Sequence, residues 1–227
     1  MILTIDTASQ NASIVLSRGE TCISAIHNHV QKTHAAFVQS GIQAIFSKTK
    51  YSLVDLDAVS VVAGPGSYTG LRVGMASAKG ICYALNKPLI LLDALKLMAL
   101  SVIRMPQFSN FIGMICPMID ARRMEVFAAL YNHQLEIIFA PGAMMVEKDF
   151  LETFLQKNKI LCIGDGSLKF QQVCVNPQAI FQNISYDENT ISYLSFQAFL
   201  KKDFASLAYS EPLYVKEFYT PGPGHKH

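Results

Sequence analysis

Apolar and polar residues follow each other along the chain in short blocks, and the blocks of the first half predict alternating strands and helices. Two apolar runs on either side of a polar turn open the sequence, as in a β-hairpin. The expected elements are strands over residues 2–5, 12–16 and 21–29, a helix over 34–48 with Thr33 as its N-cap, a strand over 57–63, a helix from Leu71 and a strand over 88–92. This order indicates an α/β fold.

The second half of the chain repeats this theme. Its expected elements are a strand, an Asp-containing turn and a strand over residues 111–131, a strand over 142–146, a helix over 148–157, a strand over 160–163, a turn over 164–167 and a helix over 191–202. Asp120 takes the place in this hairpin that Asp6 holds in the first. The repetition predicts an internal duplication with a cleft between two similar lobes. Coincidence is the alternative, because hairpins with an Asp turn are common.

The duplication sets the expected domain boundaries. We expect an N-terminal lobe over residues 1–105 and a C-terminal lobe over 106–217, with the last helix packing back on the first lobe. Residues 218–227 are expected to form a frayed tail.

Composition places the chain among well-packed globular proteins. It is 51% hydrophobic and 16% charged, with a mean hydropathy of +0.26, which hints at a surface buried against a partner. A net charge of +2 is too weak to indicate nucleic-acid binding by this chain alone. The longest apolar stretch, residues 89–103, is interrupted by Asp93 and Lys96 and is too short for a membrane span. Five scattered cysteines without a CxxC pair, and no visible signal peptide, predict a cytoplasmic protein with reduced thiols.

The stretch VVAGPGSYTGLRVGMASAKG, residues 61–80, predicts a strand end, a glycine-rich loop and a helix. It matches neither GxxxxGK[ST] nor GxGxxG, because Gly70 lacks the following Lys and Thr69 stands where the third glycine belongs. The loop can present a helix N-terminus to an anion, or it can be only a tight turn. Asp6 and Asp120 likewise can face each other across a cleft to hold Mg²⁺ and phosphates, or can cap their own turns. The candidate anion or nucleotide residues are Asp6, Gly66, Ser67, Thr69, Arg72 and Asp120.

Two predicted helices are apolar on more than one side. The helix over residues 34–48 has apolar side chains around most of its circumference, and the helix after the glycine loop carries small residues on two faces. Such helices are either buried within their own lobe or shared with another protein. Motifs for chemistry are missing: the sequence contains no HxxxH, HExxH or GxSxG, so we assign no catalytic and no metal-binding residue.

Several segments together resemble the TsaB (YeaZ) family of bacterial tRNA threonylcarbamoyladenosine biosynthesis proteins. They are ILTIDTASQNASIVL, DAVSVVAGPGSYTGLRVGMASAKGICYALNKPL, IDARRMEVFAALY, IGDGS and EPLYVKEFY, spread over almost the whole chain. The resemblance implies two lobes of the actin-like ATPase (ribonuclease H-like) type. It also implies that the metal-binding histidine pair of TsaD-type relatives is replaced here, since those positions align with Ala94 and Met98.

The resemblance further implies a non-catalytic subunit. Such a subunit binds a TsaD-type transferase as a heterodimer and, with the ATPase TsaE, supports transfer of a threonylcarbamoyl group. The donor is threonylcarbamoyl-adenylate and the acceptor is N6 of adenosine 37 in ANN-decoding tRNAs. We expect no cofactor of its own, with ATP or ADP at the complex junction, tRNA contacted through the complex, no membrane, and a homodimer through the same helices when the chain is alone.

The expected partner face combines both apolar helices. Its residues are His34, Val38, Ile42, Ile45, Met75, Lys79 and Tyr83. Two other functions stay open. One is a metallopeptidase of the glycoprotease (M22) type, and the other is a free-standing nucleotide-binding switch that uses Asp6, Asp120 and the turn over residues 164–167.

Overall fold

Two five-stranded mixed sheets form the framework of the protein, a computed structural model that describes residues 1–30 and 33–215. The first sheet has the order β3-β2-β1-β4-β5 and the second the order β10-β9-β6-β7-β8. The strands are β1 (Ile2–Asp6), β2 (Ala12–Arg18), β3 (Thr21–Asn28), β4 (Ala58–Gly64), β5 (Leu89–Asp93), β6 (Met114–Asp120), β7 (Glu125–Tyr131), β8 (Ile137–Met145), β9 (Ile160–Ile163) and β10 (Ala179–Gln182).

The two sheets have the same topology. In each, three antiparallel strands are followed by two strands that pair in parallel, β4 beside β1 and β9 beside β6. The predicted α/β fold with an internal duplication is therefore confirmed. We call the part built on the first sheet the first lobe and the part built on the second sheet the second lobe.

Six α-helices in the described part of the chain cover the sheets. They are α1 (His34–Ser47), α2 (Tyr68–Leu85), α3 (Ala94–Arg104), α4 (Glu152–Leu155), α5 (Ser167–Val173) and α6 (Glu188–Leu200). Helices α1 and α2 pack on one face of the first sheet, around a core that includes Leu3, Ile14 and Val59. Helix α3 lies between the two lobes. Its Leu97 packs in an apolar core of the first lobe, and its Leu95 packs in an apolar core of the second lobe. Both lobes therefore bury their sheets on two faces, as parallel strands require.

Helix α6 follows the second sheet in the chain but packs on the first. The hydroxyl of Ser195 lies 3.2 Å from that of Thr4 on β1 and 3.0 Å from that of Ser60 on β4, and Ile191 joins the apolar core beneath. Residues 205–213 continue along the first lobe. The amide of Ala205 donates to the carbonyl of Leu89, and that of Leu213 donates to the carbonyl of Ala63.

Several elements differ from the expectations. Thr33 occupies the N-cap position of α1 but does not cap it, because its hydroxyl donates to the Val30 carbonyl at 2.8 Å. The helix expected over residues 148–157 is reduced to the four residues of α4, which begins after Leu151 in the left-handed region at φ 64°. Helices α3 and α5 and strand β10 were not predicted. The tail predicted over residues 218–227 lies outside the described residues.

No helix in the described part of the chain is both long enough and apolar enough to cross a membrane.

Candidate functional site

The cleft between the lobes holds two adjoining cavities of about 360 and 420 Å³. Their shared wall comes from the turn after β1, with Ser9 and Gln10, and from Asp165 in the loop after β9. The larger cavity is also lined by Asp120 and by Arg122, the one cationic side chain that the described residues contribute to either wall. Two carboxylates against a single guanidinium, beside hydroxyl and amide groups, suit a polar ligand better than a polyanion.

The glycine-rich loop closes tightly on the turn after β1. The amide of Ser67 donates to the Ala8 carbonyl at 2.6 Å, and the hydroxyl of Thr7 donates to the Gly70 carbonyl at 2.7 Å. A Cβ atom on Gly66 would lie 2.2 Å from the Ala8 oxygen, and one on Gly70 would lie 2.0 Å from the Thr7 oxygen. Only glycine allows this approach, so the glycines here serve close backbone packing.

The backbone N–H groups at the start of α2 are also partly paired within the chain itself. The Ser67 side chain caps α2 by accepting from the amide of Gly70 at 3.4 Å. Ser67 and Thr69 do line the larger cavity, so an anion near these hydroxyls stays a prediction. The tight-turn alternative accounts for the loop without a ligand.

Arg72 belongs to the wall of neither cavity. Its Nε donates to the Tyr214 hydroxyl at 3.0 Å, and its guanidinium lies 4.0 Å from the centre of the Tyr68 ring. The hydrogen bond to Tyr214 raises the pKa of Arg72. The guanidinium of Arg72 therefore holds Tyr214 against α2. The sequence had instead predicted that Arg72 faces an anion at the glycine-rich loop.

Asp6 and Asp120 end equivalent strands but sit in different environments. Asp6 is buried, accepts from the Ala8 amide at 3.0 Å and from the Tyr186 hydroxyl at 2.9 Å, and lines neither cavity. Burial raises the pKa of Asp6 to about 6, against the opposing effect of these two hydrogen bonds. Asp120 is exposed, and accepts from the Arg122 amide at 2.6 Å and from the Lys169 ammonium at 2.7 Å. Of these two residues, the structure thus places only Asp120 at the cavity wall.

Asp165 is absent from the candidate anion or nucleotide residues, although it belongs to the turn over residues 164–167 that the nucleotide-switch alternative uses. Its Oδ1 accepts from the Asp120 amide at 3.0 Å, and its side chain lines both cavities. A signal was present in the sequence. The GDGS of residues 164–167 repeats the GPGS of residues 64–67, and the structure places both loops between a parallel strand and a helix. Gly64 and Gly164 both have positive φ, at 128° and 91°. The two loops are equivalent features of the two lobes.

The residues aligned with metal ligands do not form a metal site. Ala94 and Met98 are buried at the start of α3, and both line the smaller cavity. A methyl group cannot ligate a metal, and a lone thioether suits only soft ions. Within residues 1–30 and 33–215, no group of three or more His, Cys, Asp or Glu side chains could hold a metal ion.

The expected partner face divides into buried and accessible residues. Val38, Ile45 and Met75 are buried in the core of the first lobe, where they contact the sheet. His34 is buried too, with Nε2 3.1 Å from the Gln10 carbonyl. These four side chains stabilise the lobe instead of presenting a surface, which corrects their assignment. Lys79 is half-buried and donates to the carbonyl of Ser210 at 3.1 Å.

A groove between α1 and α2 is the accessible part of this face. It has a volume of about 560 Å³ and is lined mainly by apolar groups, among them Ile42, Phe46, Leu53 and Ile81. The neighbouring surface of α2 exposes small residues, including Ala76, Gly80 and Ala84, and Tyr83 is 82% exposed. A Cβ on Gly80 would have no atom within 4 Å, so α2 is open on this side.

The fold and the match to a family model define the class of protein. The model for TsaD, tRNA N6-adenosine threonylcarbamoyltransferase, matches residues 25–211. A polyphosphate/ATP-glucomannokinase from Arthrobacter shares the fold, with a TM-score of 0.53 and 9% identity over 88% of this chain and 98% of that one. The chain is thus a TsaD-related protein with the two-lobed actin-like fold.

More similar relatives identify the branch within this class. The TsaB protein of Bacillus subtilis, a tRNA threonylcarbamoyladenosine biosynthesis protein, is 30% identical over 76% of this chain and 74% of the relative. The structure of YeaZ from Pseudomonas aeruginosa superposes with a TM-score of 0.76 and 19% identity, over 94% of this chain and 99% of that one. The chain belongs to the TsaB (YeaZ) family.

Proposed function

We propose that the chain is a non-catalytic subunit of the machinery that makes threonylcarbamoyladenosine at position 37 of tRNA. It binds a TsaD-type transferase and supports it together with a TsaE-type ATPase. The single observation that carries this proposal is the apolar groove between α1 and α2, in a chain of the TsaB family. The groove offers a contact surface, whereas the described residues include no group of three or more His, Cys, Asp or Glu side chains that could hold a metal ion.

The groove has the features of a helix-docking surface. Ile42, Phe46 and Ile81 are half-buried, so their remaining apolar area is covered only when another surface packs on them. Small side chains on the adjoining face of α2 allow a partner helix to approach closely. An amphipathic helix laid into such a groove would bury the exposed apolar area of both proteins.

The cleft supports a subunit without activity of its own. The carboxylate expected to face a ligand, Asp6, is engaged by Tyr186 and sealed below the cavities. The loop expected to cradle phosphate is engaged by Thr7 and Ala8. On this proposal ATP or ADP binds at the junction with the transferase, and tRNA is bound by the assembled complex.

Reconstitution tests the proposed function. Purified pathway proteins are mixed with tRNA, threonine, bicarbonate and ATP, with and without this chain, and the modified nucleoside is quantified by mass spectrometry. We expect modification to depend on the chain and this chain alone to produce none. The proposal is refuted if modification is unchanged when the chain is omitted.

A further inference from the structure

The smaller cavity of the cleft has an apolar side and a polar side. Its apolar side comes from the glycine-rich loop, α3 and β6, and its polar side from the turn after β1 and the segment between β10 and α6. The apolar residues include Pro65, Ala94, Met98 and Ile119, and the polar ones include Gln10, Asn183 and Ser185. Ligand sites commonly combine an apolar surface with a few polar groups in a cavity of about 300–1,000 Å³. At about 360 and 420 Å³, each of the two adjoining cavities is large enough for a small molecule.

Asp165 stands where the two cavities meet, and its position is fixed by the second lobe. The amide of the next residue, Gly166, donates to the Met118 carbonyl of β6 at 3.1 Å. Oδ1 of Asp165 accepts from the Asp120 amide at 3.0 Å, whereas no described residue donates a hydrogen bond to its Oδ2. One carboxylate oxygen of a well-held side chain is therefore available to a ligand in the cleft.

The equivalent loop of the first lobe differs at this one position. Residues 64–67 read GPGS and residues 164–167 read GDGS, so Pro65 takes the place of Asp165. Both side chains line the smaller cavity, which therefore has a hydrocarbon ring on one wall and a carboxylate on the other. None of the described residues that line this cavity is a lysine or an arginine. A carboxylate without a facing cation repels phosphate and accepts hydrogen bonds from neutral donors.

We propose that the cleft binds an uncharged ligand with a vicinal diol, the ribose of a nucleoside or a hexose, and that Asp165 accepts hydrogen bonds from this diol. Carboxylates bind ribose hydroxyls in the same way in dinucleotide sites, and a charged acceptor strengthens the hydrogen bond. The apolar side of the smaller cavity covers the flat base or the carbon face of the sugar ring. A triphosphate is disfavoured, because Asp120 and Asp165 face the single cation Arg122 in the larger cavity. The site is separate from the α1–α2 groove, so it does not depend on the proposed binding of a transferase.

Isothermal titration calorimetry of the full chain, without any partner protein, tests the ligand class. The probes are adenosine, guanosine, cytidine, uridine, their 2′-deoxy counterparts, glucose and ATP. We expect at least one nucleoside or glucose to bind with a Kd below about 1 mM. A nucleoside that binds should lose about tenfold in affinity when its 2′-hydroxyl is removed, and ATP should bind more weakly than adenosine. Binding of glucose alone would identify the source of the diol as a hexose. The proposal is overturned if no nucleoside and no glucose binds at about 5 mM, if the 2′-deoxy counterpart binds equally well, or if ATP binds most tightly.

A matched pair of variants tests the role of Asp165. Asp165→Asn keeps an oxygen that can accept from the Asp120 amide, but it removes the negative charge and replaces the free oxygen by an NH₂ group. We expect it to weaken binding of the ligand about tenfold. Asp203→Asn is the control, since Asp203 is exposed and lines neither cavity, and it should bind as the wild type does. Circular dichroism checks that both variants fold. Unchanged affinity in a folded Asp165→Asn chain would overturn the assignment, and the comparison with the 2′-deoxy nucleoside stays decisive if this variant does not fold.

Discussion

Asp6 shows how burial decides the role of a single residue. It ends a central strand and lies below the cleft. Its carboxylate accepts a hydrogen bond from the hydroxyl of Tyr186, which belongs to the segment that leads to α6. Its counterpart Asp120 ends the equivalent strand but remains exposed beside Lys169. The sequence predicted that both carboxylates take equivalent places. It could not predict which one the last helix and its preceding segment would bury.

The raised pKa of Asp6 predicts a pH-dependent stability. Burial raises this pKa from 3.8 to about 6, so between these values the folded chain holds a proton that the unfolded chain has released. The free energy of unfolding therefore decreases as pH rises through this window, by at most about 3 kcal/mol. Asp6→Asn should remove this decrease, because the amide does not ionise. Urea denaturation from pH 4 to pH 8 measures it, and an equal slope in both proteins would contradict the assignment.

The glycine-rich loop and α2 show how one element combines two kinds of glycine. Gly66 and Gly70 meet the backbone of the β1–β2 turn, whereas Gly80 faces open space on the surface of α2. The sequence predicted the loop, the helix and its small-residue faces correctly. It left open whether the loop binds an anion or only turns, because that depends on which backbone lies against it, a contact between segments distant in the chain.

Alanine substitutions should separate these two kinds of glycine. Gly66→Ala and Gly70→Ala each force a Cβ atom against a backbone oxygen, so we expect a loss of about 1–3 kcal/mol or more in the free energy of unfolding. Gly80→Ala adds a methyl group in open space within a helix, so we expect a gain of about 0.5–1 kcal/mol. Urea denaturation compares all three variants. A harmless Gly66→Ala would show that the loop can move away from Ala8.

The missed elements have physical reasons as well. Helix α3 is a nearly continuous apolar run, and periodicity cannot distinguish a helix buried on all sides from a strand. Its start is set by the Asp93 side chain, which accepts from the Lys96 amide at 3.0 Å. Helix α4 is short because it begins only after Leu151, which has a left-handed backbone conformation. A leucine in the sequence gives no sign of this conformation.

At the scale of the whole molecule, the duplicated framework was predictable, but which residues of the expected partner face are accessible was not. The repeated order of strands and turns predicted two similar lobes, because local patterns suffice for that. The partner face was predicted from helices that are apolar nearly all round, and this pattern does not say which side faces the sheet. The structure assigns Val38 and Ile45 to the core and leaves Ile42 and Ile81 at the groove.

The groove predicts which variants lose the transferase. Ile42→Asp and Ile81→Asp each place a carboxylate among half-buried apolar groups at the surface, so we expect co-elution with a TsaD-type partner to weaken at least about tenfold while the chain stays folded. Val175→Asp is the control, since Val175 is 78% exposed in the second lobe. Size-exclusion chromatography of the mixture and circular dichroism of each variant provide the measurements. Unchanged co-elution of both groove variants would place the partner elsewhere.

The path of the chain through the lobes has a consequence for synthesis on the ribosome. The first lobe contains β1, but it also needs α6 and residues 205–213, which bond to Leu89 and Ala63. The second sheet is complete once Gln182 has emerged. At the usual rate of translation, the first lobe then waits a few seconds for its last segments. The half of the protein that is translated first is therefore the last to become complete, and during that interval the sheet face that α6 will cover is buried only in part, by α3.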